Sequence, residues 1–265
     1  MAPVPPPVGL IGAAWRGAAL RAAGLATLAG DAALAARCDV VAVGGPGQAA
    51  RLRDVLARGA HAFAAWPPAP SVEAAERLAA TAEESGVEVG VQRPLPTARL
   101  LAGRPAGWRA RLVAVELCAA PGGALAALAA EQRLAGALDL CAALAGHHGL
   151  ARLDVEAHGW GADGGALAAA LRFRSGAFAT LLVREAPQAL SDGVSVFARG
   201  ARGTLAAASL DGPLHLDGAR AAEPEPADEA VAFVRAVRAG ARPPFTLHDA
   251  LATMRLADRV ARRLD

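Results

Sequence analysis

The sequence predicts an α/β protein in which a truncated, Rossmann-like doubly wound parallel sheet is followed by an α+β domain with an open, largely antiparallel sheet. Two observations lead to this prediction. In the first part of the chain, short apolar runs alternate with helical segments, an order typical of parallel sheets covered by helices. In the second part, short strands follow one another across glycine-rich turns, as in antiparallel sheets. A chain of 265 residues is long enough for both, and we predict domains at residues 1–98 and 99–265.

The first domain is predicted from apolar runs that end at glycine or proline, and from helices with recognisable ends. Ser71 is suited to be a helix N-cap, and Gly86 is placed to end the same helix. Between the first helix and Cys38 we predict no strand, so the second βα unit is expected to be largely deleted. The predicted strands are Val8–Ile11, Cys38–Val43, Ala60–Ala64 and Val87–Val91, and the predicted helices are Trp15–Ala23, Ala33–Arg37, Gln48–Arg58 and Ser71–Ser85.

The second domain is predicted from short strands, with Ser175-Gly176 as a two-residue hairpin turn. A long helix is predicted over Leu125–Leu144, open to a break near Gly136. Two further helices, Asp228–Ala239 and Leu247–Arg263, end the chain. The predicted strands are Ala110–Leu117, Leu153–Gly159, Ala166–Arg174, Ala177–Val183, Val194–Ala198, Thr204–Ala208 and Pro213–Leu216.

Composition excludes several classes of function. All 27 basic residues are arginine, and the absence of lysine rules out Schiff-base chemistry and a P-loop lysine. The net charge is only +2 and the arginines are scattered, so no nucleic-acid partner is expected. The apolar, uncharged stretch Leu117–Ala130 is too short and too broken to span a membrane. Cys38, Cys118 and Cys141 lack metal-ligand spacing, so we expect no metal, buried thiols and a cytoplasmic location.

The segment Gly12-Ala13-Ala14-Trp15-Arg16-Gly17 stands where a dinucleotide-binding loop would follow the first strand. Gly12 and Gly17 match its first and third glycines, but Ala14 replaces the second, which lets the backbone approach a pyrophosphate. Two interpretations remain open: a degenerate cofactor loop, or a strand–helix turn that binds nothing. Asp31 is interpreted as a helix N-cap, so no acid is assigned to the adenosine ribose.

Several segments, in order along nearly the whole chain, resemble the glucose-fructose oxidoreductase and inositol dehydrogenase-like (Gfo/Idh/MocA) family. In that family, the residues after the last Rossmann strand correspond to Arg93 and Pro96 here. The other segments that carry the resemblance are Asp39–Val43, Pro46, Leu56–His61, Pro67, Ser71–Leu78, Glu83–Val87, Leu171–Ala177, Phe197–Leu205 and Phe233–Pro243.

The resemblance implies a nicotinamide-dependent oxidoreductase whose catalytic residues have been replaced. The family's Glu-Lys-Pro motif corresponds to Ala65-Trp66-Pro67, so its lysine is lost and Trp66 and Pro67 are expected to line the cleft between the domains. Its Asp-x-x-x-His-x-x-Asp helix falls on Gln132, Gly136 and Asp139, of which only Asp139 matches. We expect the pair Trp66→Lys and Gly136→His to place two proton-handling groups without restoring much hydride transfer.

The site residues follow from the glycine loop and from the resemblance. Cofactor binding is assigned to Gly12, Ala14, Gly17 and the turn Gly45-Pro46, which corresponds to the family's Thr-Pro turn. With this many losses, the first hypothesis is a homologue that has lost hydride transfer, binds no cofactor or binds NAD(P) weakly, and acts as a binding or partner subunit. The alternative is an NAD(P)-dependent oxidoreductase of a small polyol, sugar or related metabolite that uses Asp139, Arg93 and a water molecule.

The remaining expectations concern partners and three pairs or surfaces of the second domain. The open sheet is expected to pair with a second copy, and an active homologous subunit is a further candidate partner. His147-His148 can bind a metal or lie in a solvated loop, and the loop is favoured. Glu156 and His158 share one face of a strand, where an exposed surface is favoured over an acid/base pair.

Overall fold

The structure is a computed structural model that divides into two units, Met1–Arg93 with Ala227–Ala252, and Pro94–Pro226 with Thr253–Asp265. The sequence was divided only once, at residue 98, whereas the contacts also group residues 227–252 with the first unit. The described residues are 5–12, 14–31, 36–95, 97, 101, 104, 107–146, 149–160, 165–185, 192–201, 203–207, 214–220 and 228–264.

The first unit contains a parallel sheet with the strand order β2-β1-β3-β4-β5. Its strands are β1 (Val8–Ile11), β2 (Thr27–Ala29), β3 (Val40–Val43), β4 (His61–Ala64) and β5 (Val89–Val91). Its helices are α1 (Ala14–Ala22), α2 (Gln48–Leu56), α3 (Val72–Ser85) and α5 (Glu229–Arg238). The predicted doubly wound parallel sheet is therefore confirmed.

One expectation for this unit is wrong, because the second strand is present. β2 pairs in parallel with β1, with Val8 opposite Thr27 and Leu10 opposite Ala29. Its three residues carry a single β-branched side chain, so the strand gives almost no local signal. Long-range pairing with β1 forms it. The predicted helix at Ala33–Arg37 lies largely outside the described residues.

Helix ends in the first unit follow the local chemistry that predicted them. The hydroxyl of Ser71 accepts a hydrogen bond from the backbone N–H of Ala74 at 3.2 Å, and Gly86 adopts a left-handed φ of 65° where α3 ends. α1 and α5 share one buried cluster with β1, β3 and β4, in which Leu20 and Phe233 are fully buried. Burial of Phe233 explains why α5 groups with the first unit although it is distant in sequence.

The second unit contains an eight-stranded sheet with the order β13-β12-β11-β10-β6-β9-β8-β7. Only β6 and β9 pair in parallel, so the predicted open, largely antiparallel sheet is confirmed. The strands are β6 (Ala110–Ala119), β7 (Leu150–His158), β8 (Ala166–Phe173), β9 (Phe178–Glu185), β10 (Gly193–Gly200), β11 (Gly203–Ala207), β12 (Leu214–Leu216) and β13 (Ala219–Arg220). The Ser175-Gly176 turn joins β8 to β9, and Gly176 has a φ of 85°.

The central helix of this unit, α4 (Ala130–Ala145), runs without a break through Gly136 and begins five residues later than predicted. Ala129, just before its start, has a non-helical ψ of 150°, and the buried guanidinium of Arg133 donates hydrogen bonds to the carbonyl oxygens of Leu125 and Leu128 at 2.9 and 2.6 Å. The same guanidinium forms an ion pair with Glu185, and burial lowers its pKa. These bonds use carbonyl groups that a longer helix would need for itself.

The last helix, α6 (Leu247–Ala261), contributes residues to both units. Within the described residues, no helix is long and apolar enough to cross a membrane. Cys38, Cys118 and Cys141 are buried and free, as predicted.

Candidate functional site

The carboxyl edge of the first sheet holds the predicted cofactor residues. The connections leave β1 towards β2 on one side and β3 towards β4 on the other, so the strand order reverses between β1 and β3. In open parallel sheets, ligands bind outside the carboxyl ends of the strands at such a reversal. Gly12 follows β1 here, and Gly44 and Gly45 follow β3.

Two glycines at this edge lie in close contact with neighbouring residues. Gly12 has a φ of 61°, and a Cβ atom added to it would lie 2.3 Å from the carbonyl oxygen of Gly44. Gly17 is buried, and a Cβ atom there would lie 3.1 Å from Cδ1 of Leu10 on β1. A tight turn and close helix–strand packing are what the first and third glycines of a dinucleotide loop provide. Ala14, at the second position, is the first residue of α1.

Asp31 also lies at this edge, and the helix that it was predicted to cap lies largely outside the described residues. The residue comes two positions after β2 ends at Ala29, and it is exposed. An acid at the end of the second strand, roughly 20 residues after the first glycine, is the position from which a carboxylate binds an adenosine ribose. The spacing from Gly12 is a signal for this role in the sequence, but it depends on β2, which gives almost no local signal of its own.

Arg51 is a second residue that sequence reasoning missed. Its guanidinium donates a hydrogen bond to the carbonyl oxygen of Gly44 at 3.1 Å and another to that of Pro46. A Cβ atom at Gly12 would lie 2.6 Å from Nη1 of Arg51, so the guanidinium lies directly against that glycine. The predicted turn Gly45-Pro46 is therefore held by a cation from its own following helix.

Trp66 and Pro67 lie just beyond the carboxyl end of β4, and Gln48 holds this segment. The Gln48 amide donates to the carbonyl oxygens of Ala65 and Pro67, both at 2.9 Å, and accepts from the backbone N–H of Ala65 at 3.1 Å. Trp66 is half-buried and lies outside the buried core of its unit. An indole at this position has no proton acceptor for alcohol oxidation.

Arg93 follows β5 and is engaged within the first unit. Its guanidinium carbon lies 4.3 Å from the centre of the Phe245 ring, a cation–π contact. Its backbone N–H donates to the carboxylate of Glu229 at 3.1 Å. Arg93 is thus a fixed cation at the same end of the sheet as Gly12 and Gly45.

Asp139 belongs to the second unit, in α4, and is 1% exposed. The hydroxyl of Thr253 lies 3.5 Å from its carboxylate. Burial, and then the charge of Asp139, raise the pKa of the nearby Cys141 thiol to about 12. Because Asp139 and Arg93 belong to different units, their predicted joint role stays a prediction.

Gly136, which takes the place of the family's histidine, has no free space beside it. A Cβ atom there would lie 2.2 Å from Cγ and 2.4 Å from Cδ1 of Leu95, which is itself 1% exposed. The expectation that Gly136→His would place a proton-handling group is therefore wrong, since the imidazole would need the volume that Leu95 fills.

The remaining polar candidates give no site. Glu156 and His158 are both exposed on β7, as favoured, and His147-His148 lie outside the described residues. No group of three or more His, Cys, Asp or Glu side chains in the described part of the chain is placed to hold a metal ion.

Comparison with known proteins shows which solved structures share this fold. No protein-family model and no curated protein sequence matches the chain. The solved structure of UDP-N-acetylglucosamine 3-dehydrogenase GnnA from Acidithiobacillus ferrooxidans matches with a TM-score of 0.78 at 17% identity, over 97% of each chain. The WlbA dehydrogenase from Bordetella pertussis, solved with NADH and UDP-GlcNAcA, matches with a TM-score of 0.69 at 18% identity, over 99% of this chain and 98% of its own.

A third solved structure, biliverdin reductase from Synechocystis in complex with biliverdin and NADP+, matches with a TM-score of 0.68 at 16% identity, over 98% of this chain and 99% of its own. At these identities the similarity establishes the fold. The chain therefore has the fold of the Gfo/Idh/MocA-type dehydrogenases, as its sequence resemblance implied.

Proposed function

We propose that this protein is a dehydrogenase-like homologue that binds NAD weakly at the carboxyl edge of its first sheet and does not transfer hydride. The packing of Leu95 against Gly136 carries this proposal. Oxidation of an alcohol requires a group that accepts the hydroxyl proton as hydride leaves the carbon. The resemblance places that chemistry at Trp66 and Gly136, and neither residue can accept a proton.

The residues at this edge are suited to bind NAD, although the residues needed for hydride transfer are missing. Gly12 and Gly17 would let the dinucleotide approach α1, and Asp31 would accept hydrogen bonds from the adenosine ribose. A carboxylate at that position repels a 2′-phosphate, so NAD is favoured over NADP. Bound NAD would supply a hydride acceptor. The sequence has alanine in place of the loop's second glycine, the residue that lets the backbone approach a pyrophosphate, and this supports weak binding.

Self-association through the second sheet is part of the same proposal. Leu112, Phe178 and Phe197 are 41%, 41% and 39% exposed. They lie on the adjacent strands β10, β6 and β9, and Leu112 stands opposite Phe178. Leu171 and Phe173 do not belong to this surface, because they are buried in the core with α4. We call the exposed side of the sheet, with Leu112, Phe178 and Phe197, the open face.

Charges on the open face favour a second copy as the occupant. Arg172 stands opposite Phe178 and Arg199 opposite Leu112, so both arginines lie at the apolar end. Glu116 and Glu156 lie nearer the other end, where Glu116 forms an ion pair with Arg184 and Glu156 is the glutamate left for a second copy. A two-fold axis that exchanges the ends would set arginines against glutamates across the interface.

Titration of the purified protein with NADH and NADPH tests the cofactor proposal. We expect NADH to bind and NADPH to bind about tenfold more weakly or worse. Asp31→Asn should reduce this preference, and Asp54→Asn, an exposed acid on α2, is the matched control. Equal binding of both cofactors, or none, would contradict the proposal.

Turnover is tested with NAD+ and UDP-N-acetylglucosamine, a probe chosen because GnnA is named for it. We expect no NADH to form. Formation of NADH would instead support the alternative, an oxidoreductase that uses Asp139 and Arg93.

A further inference from the structure

The side chain of Arg51 turns back over the reversal point of the first sheet. It starts from α2, and its Nη1 donates to Gly44 at 3.1 Å while contacting the backbone of Gly12 on the neighbouring strand connection. A second hydrogen bond runs from Nη2 to Pro46. The guanidinium therefore bridges the turns that follow β1 and β3, which are the two turns flanking the reversal point.

This cation has binding capacity to spare. A guanidinium has five N–H donors, and the two hydrogen bonds to carbonyl oxygens engage two of them. Among the described residues, no carboxylate forms an ion pair with Arg51. The charge lies beside Gly12, Gly45 and Pro46, which are all exposed. A fixed, partly exposed and unneutralised positive charge is suited to an anion.

We propose that Arg51 binds the diphosphate of a nucleotide at this edge, an inference that rests on the proposed function. The planar guanidinium matches phosphate oxygens in a two-pronged arrangement. Alanine in place of the loop's second glycine, at position 14, weakens contacts between the backbone and the diphosphate. The positive charge of Arg51 would compensate for this loss. With no lysine in the chain, arginine is the side chain that can provide this charge.

The experiment compares ADP-ribose, ADP, inorganic pyrophosphate and adenosine on the full chain by calorimetry. We expect Arg51→Gln to weaken ADP-ribose and ADP about tenfold or more and to leave adenosine unchanged. Arg53→Gln, an exposed arginine on the same helix, is the matched control and should bind like the wild type. Arg51→Lys should retain part of the affinity, and circular dichroism checks that each variant is folded.

The outcomes separate this inference from the proposed function. If Arg51→Gln binds ADP as tightly as the wild type or more tightly, the inference about Arg51 is wrong. Tighter binding would mean that the Arg51 side chain occupies the space of the diphosphate. If the wild type binds pyrophosphate through Arg51 but not NADH, the inference stands and the cofactor proposal fails. If the wild type binds none of the phosphate compounds, the inference is wrong.

Discussion

Leu95 fills the space that any side chain at position 136 would require. Its Cγ lies 2.2 Å from where a Cβ atom of that residue would be, although α4 is otherwise rich in alanine. In a helix, alanine is ordinarily more stable than glycine by about 1 kcal/mol. Glycine leaves the space that Leu95 fills, so the two residues pack as a unit.

Gly136→Ala should therefore destabilise the protein by about 1–3 kcal/mol, because the new methyl group overpacks a buried leucine. In a Leu95→Ala background the same change should become neutral or stabilising, since the space is open and only the helix preference remains. Urea unfolding of the four proteins measures this. A stabilising Gly136→Ala in the wild-type background would contradict the packing relationship.

The buried thiol of Cys141 should make the protein less stable at alkaline pH. Burial keeps its thiol neutral in the folded protein with a pKa of about 12, whereas the unfolded chain releases the proton near pH 9.0. A folded pKa raised above the unfolded one favours unfolding as pH rises from 9 towards 12. The contribution to the free energy of unfolding should fall by about 1.4 kcal/mol between pH 8 and pH 10.

Comparison of wild type with Cys141→Ala isolates this effect, because only the difference between their pH dependences is used. The variant should lose less stability than the wild type over that range. Parallel pH curves would show that the thiol ionises alike in both states.

Trp66 is expected to tolerate truncation. The indole is half-buried outside the core, so Trp66→Ala should cost about 1 kcal/mol. Trp108, which is 7% exposed in the core of the second unit, is the matched comparison, and Trp108→Ala should cost about 3–5 kcal/mol. Denaturant unfolding of both variants provides the measurement. Equal losses would mean that Trp66 is structural packing.

The open face predicts an oligomer that charge can dissociate. Leu112→Glu with Phe178→Glu should shift the protein to monomer, because it would bury two carboxylates of each copy in the interface and set them against the glutamate end of the other copy. Arg77→Glu, on the exposed surface of α3 in the first unit, should leave the oligomer intact. Sedimentation velocity at micromolar concentration measures the state, and a monomeric wild type would end this proposal.

Local sequence was sufficient for the elements whose ends are encoded nearby. Ser71 and Gly86 delimit α3 because a side-chain cap and a left-handed glycine act within one turn of the chain. The Ser175-Gly176 hairpin and the apolar strands of both sheets were predictable for the same reason. The glycine loop was also visible in the sequence, since Gly12 and Gly17 carry their own spacing.

Tertiary structure alone decided the features that depend on distant partners. β2 exists because it pairs with β1, and only that strand gives Asp31 its place at the edge. Arg51 and Gln48 hold turns of the chain by hydrogen bonds to backbone carbonyl groups, Arg51 to Gly44 and Gln48 to Ala65. The sequence predicted a possible helix break at Gly136, or the position of the family's histidine. In the structure Leu95 occupies the space beside this glycine. A capping signal is set by neighbouring residues, whereas the volume beside a residue is set by whatever the fold packs against it.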